Sequence, residues 1–369
     1  MKFDLPALNI AEVTLIGTGG GYGESIVVHI GDNKWIVVDS CIDPKTKTSL
    51  PLAYLKQIGV NVDADVKLIL CTHWHDDHIL GLSSLLSECS TATFSMARPN
   101  DLKKFLRLIK LDYTKSKSKI SNSSTVEFNK CLDIIETRNA VLKHASSDKV
   151  LYSQKFNGFT NQIISLSPSD YTLQQFDAEI STLITEFGRS SMKIVSKSPN
   201  AKSVAIFVKL GDHRVILGAD LEVSIDNDKE GWVHILDNNQ VIDKGSGLFK
   251  IPHHGSENGY YSRIWNELLL SKPTSKLTPW NKKNKLPQDD MLKKYASHTN
   301  NLFMTSSLKE PTPKKRDNKI QKAIKSMNLK ITEVKYEPGI IRNRINMNDV
   351  DANWNTDLYE RAYHVNPTL

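Results

Sequence analysis

The residues best suited to chemistry in this sequence are histidines and aspartates in three short stretches. One stretch covers residues 73–78, the second is an aspartate at position 220, and the third is a His-His pair at 253–254. Neutral imidazole and carboxylate ligands together favour Zn²⁺, with Mn²⁺ or Fe as alternatives. The candidate metal ligands are therefore His73, His75, Asp77, His78, Asp220, His253 and His254.

The spacing of these residues suits two divalent ions. His73 and His75 are two residues apart, so on an extended loop they can face the same ion. Asp77 and His78 follow at the predicted turn into a helix and can face a second ion, with Asp220 as a bridge. Two ions about 3.5–4 Å apart can share a hydroxide and hold the oxygens of a displaced ester, so such a hydrolase needs no protein nucleophile.

Two of these residues are also candidates for direct participation in catalysis. They are Asp77 in the first stretch and His254 in the third. Adjacent side chains on an extended segment point to opposite sides, so the sequence leaves open which of His253 and His254 binds metal. The other histidine could donate to a phosphate or to a leaving group.

Each stretch follows a predicted β-strand. Residues 66–71, 214–217 and 248–251 are short apolar or β-branched runs that end just before the first, second and third stretch. The ends of such strands lie along one edge of an α/β scaffold, where residues distant in sequence can meet. We therefore expect the three stretches to converge.

The remaining pattern alternates strands and helices. Glycine-rich residues 17–23 cannot form a helix and predict a turn. Residues 25–30 and 34–38 predict one hairpin, and residues 203–210 and 214–217 a second. Helical periodicity predicts helices at 50–58, 79–89, 101–111, 171–187 and 313–327, with further strands at 13–16, 162–166 and 329–336.

Composition narrows the class of protein. Of the 369 residues, 39% are hydrophobic and 24% charged, which excludes a fibrous or wholly disordered chain. No run reaches the ~18 apolar residues of a membrane helix, and the first residues lack the layout of a signal peptide, so we expect no membrane association. Four scattered cysteines form no CxxC pair, which favours a reducing cytoplasm.

The charge is unevenly distributed. The chain carries a net charge of +7, but residues 272–330 alone hold 15 Lys and Arg against 4 Asp and Glu. Clusters at 282–285 and 314–316 lie within this segment. Such a segment predicts a polyanionic partner, nucleic acid first, although a solvated lysine-rich surface gives the same composition. This segment and residues 98–160 could alternatively dock a protein partner.

The motif His-x-His-x-Asp-His at residues 73–78 resembles the signature of the metallo-β-lactamase superfamily. Asp39, at the end of a predicted strand, matches an early aspartate that supports the histidine loop in that superfamily. The Gly-Ala-Asp sequence ending in Asp220 resembles its bridging motif. This resemblance implies an α/β fold, a four-layer αββα sandwich, with a site for two divalent ions at one edge of the two sheets.

A narrower resemblance covers residues 11 to 307. The segments 200–207, 215–222 and 250–256, the last reading Lys-Ile-Pro-His-His-Gly-Ser, resemble the metallo-β-lactamase domain of ComEC-type competence proteins. In that family the domain is thought to act on DNA as a nuclease. Many superfamily members have a further histidine near position 200, where this chain has Asn200. We expect Asn200, like Asp39, to support the metal ligands without binding metal itself. Lys250 and Ser256 are candidate phosphate contacts.

These observations predict a metallo-β-lactamase-like domain over residues 1–310, with an enlarged insert at about 98–160. A lysine-rich C-terminal extension, residues 311–369, is expected to pack on it. The predicted function is a metal-dependent hydrolase, most simply a phosphodiesterase or nuclease that uses metal-bound hydroxide. The alternatives are a hydrolase of a small phosphoester or other ester, and a metal-stabilised scaffold that recruits a partner.

Overall fold

A computed structural model describes residues 3–19, 23–97, 99, 101–116, 124–187, 199–281, 284–308, 316–329 and 338–365. The middle of the glycine-rich turn, four lysines of the basic clusters (Lys282, Lys283, Lys314 and Lys315) and most of the strand predicted at 329–336 lie outside these residues.

Sixteen β-strands are found within the described part of the chain. In chain order they are β1 Ile10–Gly17, β2 Glu24–His29, β3 Trp35–Val38, β4 Val66–Cys71, β5 Thr93–Met96, β6 Leu142–His144, β7 Lys149–Phe156, β8 Phe159–Ser165, β9 Ile206–Leu210, β10 His213–Leu217, β11 Ser246–Lys250, β12 Leu269–Leu277, β13 Leu302–Met304, β14 Gly339–Asn346, β15 Asn355–Glu360 and β16 Tyr363–His364.

The strands form two eight-stranded sheets. The first has the order β15-β14-β1-β2-β3-β4-β5-β6, and the second β16-β13-β12-β11-β10-β9-β8-β7. In the first sheet β3, β4, β5 and β6 are parallel, and in the second β10, β11, β12 and β13 are parallel. The candidate ligands follow the carboxyl ends of three of these parallel strands, β4, β10 and β11.

Ten α-helices are described alongside the sheets. They are α1 Leu50–Gln57, α2 Val62–Asp65, α3 Asp76–Ile79, α4 Leu82–Glu88, α5 Leu102–Ser116, α6 Ser124–Thr137, α7 Asp170–Phe187, α8 Gly231–Asn238, α9 Asp289–His298 and α10 Asn318–Ser326. The helix predicted at 79–89 is two helices, because Gly81 between them adopts a φ of 86°. The other predicted helices are confirmed to within a few residues, although the last is shorter.

Three apolar clusters show that the predicted αββα sandwich is correct. One cluster lies between the two sheets, and the other two lie between each sheet and its outer helices. The position of a residue along its strand determines which apolar cluster it joins, because successive residues of a strand face opposite sides of the sheet. On β2, for example, Ile26 and Val28 face the second sheet whereas Val27 faces the helices.

The last part of the chain contributes strands to both sheets. β14, from the predicted C-terminal extension, pairs with β1 over all eight residues of each strand. β16 pairs with β13 at the edge of the second sheet. Within the predicted insert, α5 and α6 pack on the outer cluster of the first sheet, and β6 forms that sheet's edge. These segments therefore belong to the body of the sandwich.

Among the described helices, none combines the length and apolarity required to span a membrane.

Candidate metal centre

The three predicted stretches meet at one edge of the sandwich. Residues 73–78 lie in the loop after β4. A backbone hydrogen bond of 3.1 Å from the N–H of Val204 to the carbonyl of Thr72 joins this loop to the segment that leads into β9 of the second sheet. Asp220 follows β10, and His254 follows β11. Both sheets therefore contribute to the site.

Four buried side chains form the tightest part of this site. Asp77, His78, Asp220 and His254 each offer a ligand atom within 4.8 Å of the others. The Nε2 atom of His78 is 3.3 Å from Oδ2 of Asp220, and Nε2 of His254 is 3.3 Å from Oδ2 of Asp77. The cluster thus joins two residues of the first sheet to two of the second.

His73 and His75 form a second group beside it. Their Nε2 and Nδ1 atoms are 3.1 Å apart, and Nε2 of His73 is 3.8 Å from Oδ2 of Asp220. The same Oδ2 atom is 3.8 Å from Nε2 of His254. Asp220 therefore lies between the two groups.

Hydrogen bonds fix which nitrogen of two histidines faces the cluster. Nδ1 of His78 donates to Oδ2 of Asp39 at 2.7 Å, and Nδ1 of His254 donates to the carbonyl of Thr278 at 2.9 Å. The Nε2 atoms of both rings are then left with a lone pair for a metal. Partners of this kind orient ligating histidines in metal sites generally.

Unpaired polar atoms test whether a cation fits here. Nε2 of His78 and Oδ1 of Asp220 are buried and have no hydrogen-bond partner among the described residues. Buried polar groups are normally paired, so these atoms call for a ligand. Imidazole nitrogens and carboxylate oxygens are a donor set for Zn²⁺ and related ions. The residues present therefore fit a divalent metal.

The charge distribution supports the same conclusion. Burial alone would lower the pKa of His78, but the carboxylates of Asp220, Asp39 and Asp77 raise it well above the usual value. Burial alone would raise the pKa of Asp220, but His78 and His254 hold it well below the usual value. The surplus of negative charge that favours a proton on His78 would equally favour a divalent cation.

Asp39 makes hydrogen bonds to both ends of the loop of residues 72–78, which we call the metal loop. Its Oδ1 accepts the backbone N–H of Thr72 at 2.7 Å, and its Oδ2 accepts the Thr72 hydroxyl and Nδ1 of His78, each at 2.7 Å. Asp39 also has a φ of 60° directly after β3. One buried carboxylate thus fixes both ends of the turn between β4 and α3.

Sequence reasoning missed the aromatic packing that holds this loop from outside. Trp74 lies between His73 and His75 in the sequence. Its ring stacks on the ring of Phe105 of α5, with 5.0 Å between the ring centroids. Phe128 of α6 and Phe176 of α7 also contact it, at 5.5 and 5.4 Å. Helices α5 and α6 of the insert, together with α7, therefore pack against the metal loop. Nothing in the spacing of the motif indicates these partners.

His253 is not one of the four clustered residues. Its Nδ1 atom is 3.2 Å from Oε1 of Glu222 and 3.1 Å from Oδ1 of Asn258, and its Nε2 accepts from the amide of Asn200 at 3.2 Å. Of the two adjacent histidines, the structure thus brings His254 to the cluster. Asn200 contacts His253 and Glu222 rather than a candidate ligand of the cluster.

The two residues predicted to contact phosphate have other partners. Lys250 is fully buried, and its ammonium pairs with Glu24 and donates to the carbonyl of Ala219 at 2.9 Å. The Ser256 hydroxyl is buried, donates to the Asn258 side chain and accepts the N–H of Gly259. Neither group offers an exposed donor to a substrate, because local protein contacts occupy both.

Part of the chain matches a known protein family. Residues 18–102 match the family described as "Metallo-beta-lactamase superfamily". These residues include Asp39 and the whole metal loop. A comparison with curated proteins found no match.

Several solved structures resemble parts of the chain. The metallo-beta-lactamase fold protein YhfI from Bacillus subtilis is 11% identical, aligned over 80% of this chain and 95% of that one, with a TM-score of 0.37. A B3 metallo-beta-lactamase with an active-site glutamic acid is 15% identical over 61% and 65%, with a TM-score of 0.32. AidC, a dizinc quorum-quenching lactonase, is 14% identical over 53% and 55%, with a TM-score of 0.30.

The family match and the geometry agree on the same part of the molecule. The residues that match the superfamily model supply Asp39, Asp77 and His78, and the second sheet adds Asp220 and His254. The chain is thus a two-sheet α/β protein with a superfamily match to metallo-β-lactamases and a buried candidate site for divalent metal.

Proposed function

We propose that this protein is a metal-dependent hydrolase that cleaves phosphodiester bonds in nucleic acid. The observation that carries the hydrolase assignment is the convergence of Asp77, His78, Asp220 and His254 from two sheets onto one buried point. The superfamily match over residues 18–102 supports the same class of enzyme. We propose Zn²⁺ as the ion, because imidazoles and carboxylates make up the donor set.

The protein's own residues prepare the site for substrate. Bound divalent ions supply Lewis-acid stabilisation of the oxygens of an ester and lower the pKa of water. The side chain of Asp39 and the carbonyl of Thr278 keep the Nε2 atoms of two rings free for those ions. One ion would be held by His73 and His75 and the second by Asp77, His78 and His254, with Asp220 between them.

Groups beside His254 support a nucleic-acid substrate. The half-buried ring of Trp280 lies 5.3 Å from the His254 ring, where it could stack on a base. Lys293 and Lys294 are exposed on α9, whose Tyr295 packs against the residues that follow His254. Together with the exposed lysines of α10, they place positive charge in the described part of the basic segment.

The resemblance of the His-His-Gly-Ser region to ComEC-type domains makes DNA the first substrate to test. The four cysteines are free and buried, which fits the reducing cytoplasm we propose as the location. A protein partner that docks on the basic segment is a separate hypothesis, which the binding experiments below address.

The decisive experiment is a cleavage assay on single- and double-stranded DNA and RNA. The protein is stripped with a chelator and reloaded with Zn²⁺, Mn²⁺ or Fe²⁺. We expect metal-dependent cleavage by the wild type and none by Asp77→Ala or His78→Ala, with little loss of nucleic-acid binding by either variant. An equal loss of cleavage and binding would contradict the assigned roles.

The salt dependence of binding separates the substrate classes. Neutralised phosphates release counterions, so a nuclease should lose affinity steeply between about 50 and about 200 mM salt. A Lys293→Glu/Lys294→Glu variant should reduce that slope. Metal-dependent turnover of a small ester with no salt slope would instead indicate a small-ester hydrolase. Metal binding with no turnover on any substrate would indicate a scaffold.

A further inference from the structure

Lys250 and Glu24 form a buried ion pair between the two sheets. Lys250 is the last residue of β11 in the second sheet, and Glu24 is the first residue of β2 in the first sheet. Both side chains are almost completely inaccessible, and the Lys250 ammonium contacts Oε1 of Glu24 directly. A buried charge pair of this kind ties the sheets together, because separating it would leave unpaired charges in the interior.

The pair lies directly behind the candidate metal centre. The Lys250 ammonium donates to the carbonyl of Ala219 at 2.9 Å and is 3.9 Å from Oδ1 of Asp220. Ala219 has a φ of 45°, a conformation that needs support from its surroundings. The other carboxylate oxygen of Asp220 faces the imidazoles of the cluster. Lys250 therefore holds the turn that aims Asp220.

The position of the sheets relative to each other decides the geometry of the centre. Asp77 and His78 come from the first sheet, whereas Asp220 and His254 come from the second. Zn²⁺ requires its nitrogen and oxygen ligands at about 2.0–2.2 Å, so small displacements between the sheets weaken its binding. A contact that fixes the distance between the two sheets at this edge should therefore also determine the affinity for metal.

We propose that the Lys250–Glu24 pair is a positioning strut that sets the spacing between the two halves of the metal centre. This inference rests on the metal centre proposed above. It gives two buried charges outside the ligand set a defined role: they orient Asp220 and hold the sheets at the separation that the ion needs.

Lys276 provides a matched control. It is the Cα partner of Lys250 on the neighbouring strand β12 and is equally buried. Its amine also reaches across to the first sheet, where it donates to the carbonyl of Val13 and to Oδ1 of Asn343, each at 2.8 Å. These partners are outside the candidate ligand set. Lys276 is therefore a cross-sheet tie that does not touch the metal centre.

The test uses variants that keep the charge around the centre constant. Lys250→Met alone would add net negative charge, which attracts cations and obscures a geometric effect. The double variant Glu24→Gln/Lys250→Met removes one charge of each sign. Glu24→Asp keeps both charges and shortens the strut by one methylene, so it is the variant to use if the double variant does not fold. Lys276→Met is the control.

Metal affinity is measured by calorimetry on chelator-stripped protein, and ligand geometry by the visible absorption spectrum of the Co²⁺ form. We expect the double variant to bind Zn²⁺ about 10- to 100-fold more weakly and to show an altered Co²⁺ spectrum. Glu24→Asp should show a smaller loss of the same kind. Lys276→Met should bind metal within about threefold of the wild type, with an unchanged spectrum.

Three results would overturn the inference. If both Glu24 variants kept the wild-type metal affinity and Co²⁺ spectrum, the Lys250–Glu24 pair would have no positioning role. If Lys276→Met lost as much metal affinity as the double variant, the effect would come from any contact that joins the sheets rather than from this pair. If the wild type itself bound no divalent metal, the proposed metal centre would fail first. That last result is distinguishable because it appears before any substitution is made.

Discussion

The edge that carries the candidate ligands and the interior between the sheets are built by different rules. In the interior, alternating apolar residues such as Val13, Val28 and Leu68 pack without exposed surface on regular strands. At the edge, Asp39, Ala219 and His254 have positive φ angles, and buried carboxylates face one another. Such conformations cost about 1–3 kcal/mol each, so they persist only where the surrounding fold imposes them.

This difference assigns stability and the proposed metal binding to separate parts of the sandwich. The interior gains its free energy from burial of apolar surface, which is non-directional. At the edge, charged groups and strained backbone lie where the binding of a cation can offset their unfavourable free energy. Substitutions in the two regions should therefore have opposite signatures, which the following experiments test.

The largest effect is expected for Asp220→Ala. Its Oδ2 atom is within 3.8 Å of Nε2 of His73, His78 and His254, so its loss should affect both groups of ligands. A four-ligand Zn²⁺ site contributes about 10–16 kcal/mol in all, so losing one ligand should weaken binding about 100- to 1000-fold. The measurement is calorimetric titration of stripped protein with Zn²⁺.

The interior counterpart is Leu68→Ala, on the strand that leads to the metal loop. Leu68 is fully buried between the sheets, so the free energy of unfolding should fall by about 2–5 kcal/mol. Its metal affinity should stay within about threefold of the wild type. If Leu68→Ala weakened metal binding as much as Asp220→Ala, the separation of the two regions would be disproved.

A second effect away from the metal-binding edge, on the helix-covered face of β2, depends on pH. Burial lowers the pKa of His29 to about 4, partly offset by the hydrogen bond to the carbonyl of Ile10. The unfolded chain binds a proton near pH 6.5, so this histidine destabilises the fold as the pH falls from about 6.5 to about 4, by up to about 3 kcal/mol. His29→Asn should flatten that part of the stability profile in denaturant titrations. An unchanged profile would contradict the prediction.

Asp39→Asn should have a smaller effect at the edge. The variant replaces the oxygen that accepts from Nδ1 of His78 with an amide donor or rotates the amide away from Thr72. Loss of such a partner typically costs about 10- to 100-fold in metal affinity. Metal content after dialysis at fixed Zn²⁺ would report the loss, and full retention would show that Asp39 does not orient His78.

His253→Ala should have the smallest effect on metal affinity, less than about threefold. Its ring contacts Asn200, Glu222 and Asn258 rather than the four-residue cluster. His254→Ala is the matched variant and should lose most of the bound metal. Metal titration of the two variants side by side checks the assignment, and reversed results would mean that the ligand of the pair is His253.

The sequence was sufficient for the elements whose signals are local. Strand β4 was predicted with its observed bounds, and both hairpins were found, because period-two alternation and turn residues are properties of short segments. The break at Gly81 within a predicted helix, and the later strands β12 to β16, were not predicted. Strands β14 and β16 pair with β1 and β13, which are distant in the chain, and a local pattern does not identify such partners.

The candidate site divides in the same way. The sequence by itself determined which residue types could bind metal and that they would follow strand ends, because imidazole and carboxylate chemistry belongs to each residue. Only the tertiary structure decided that His254 rather than His253 faces the cluster, and that Lys250 pairs with Glu24. Those outcomes depend on backbone angles and on contacts between two sheets, which no single segment contains.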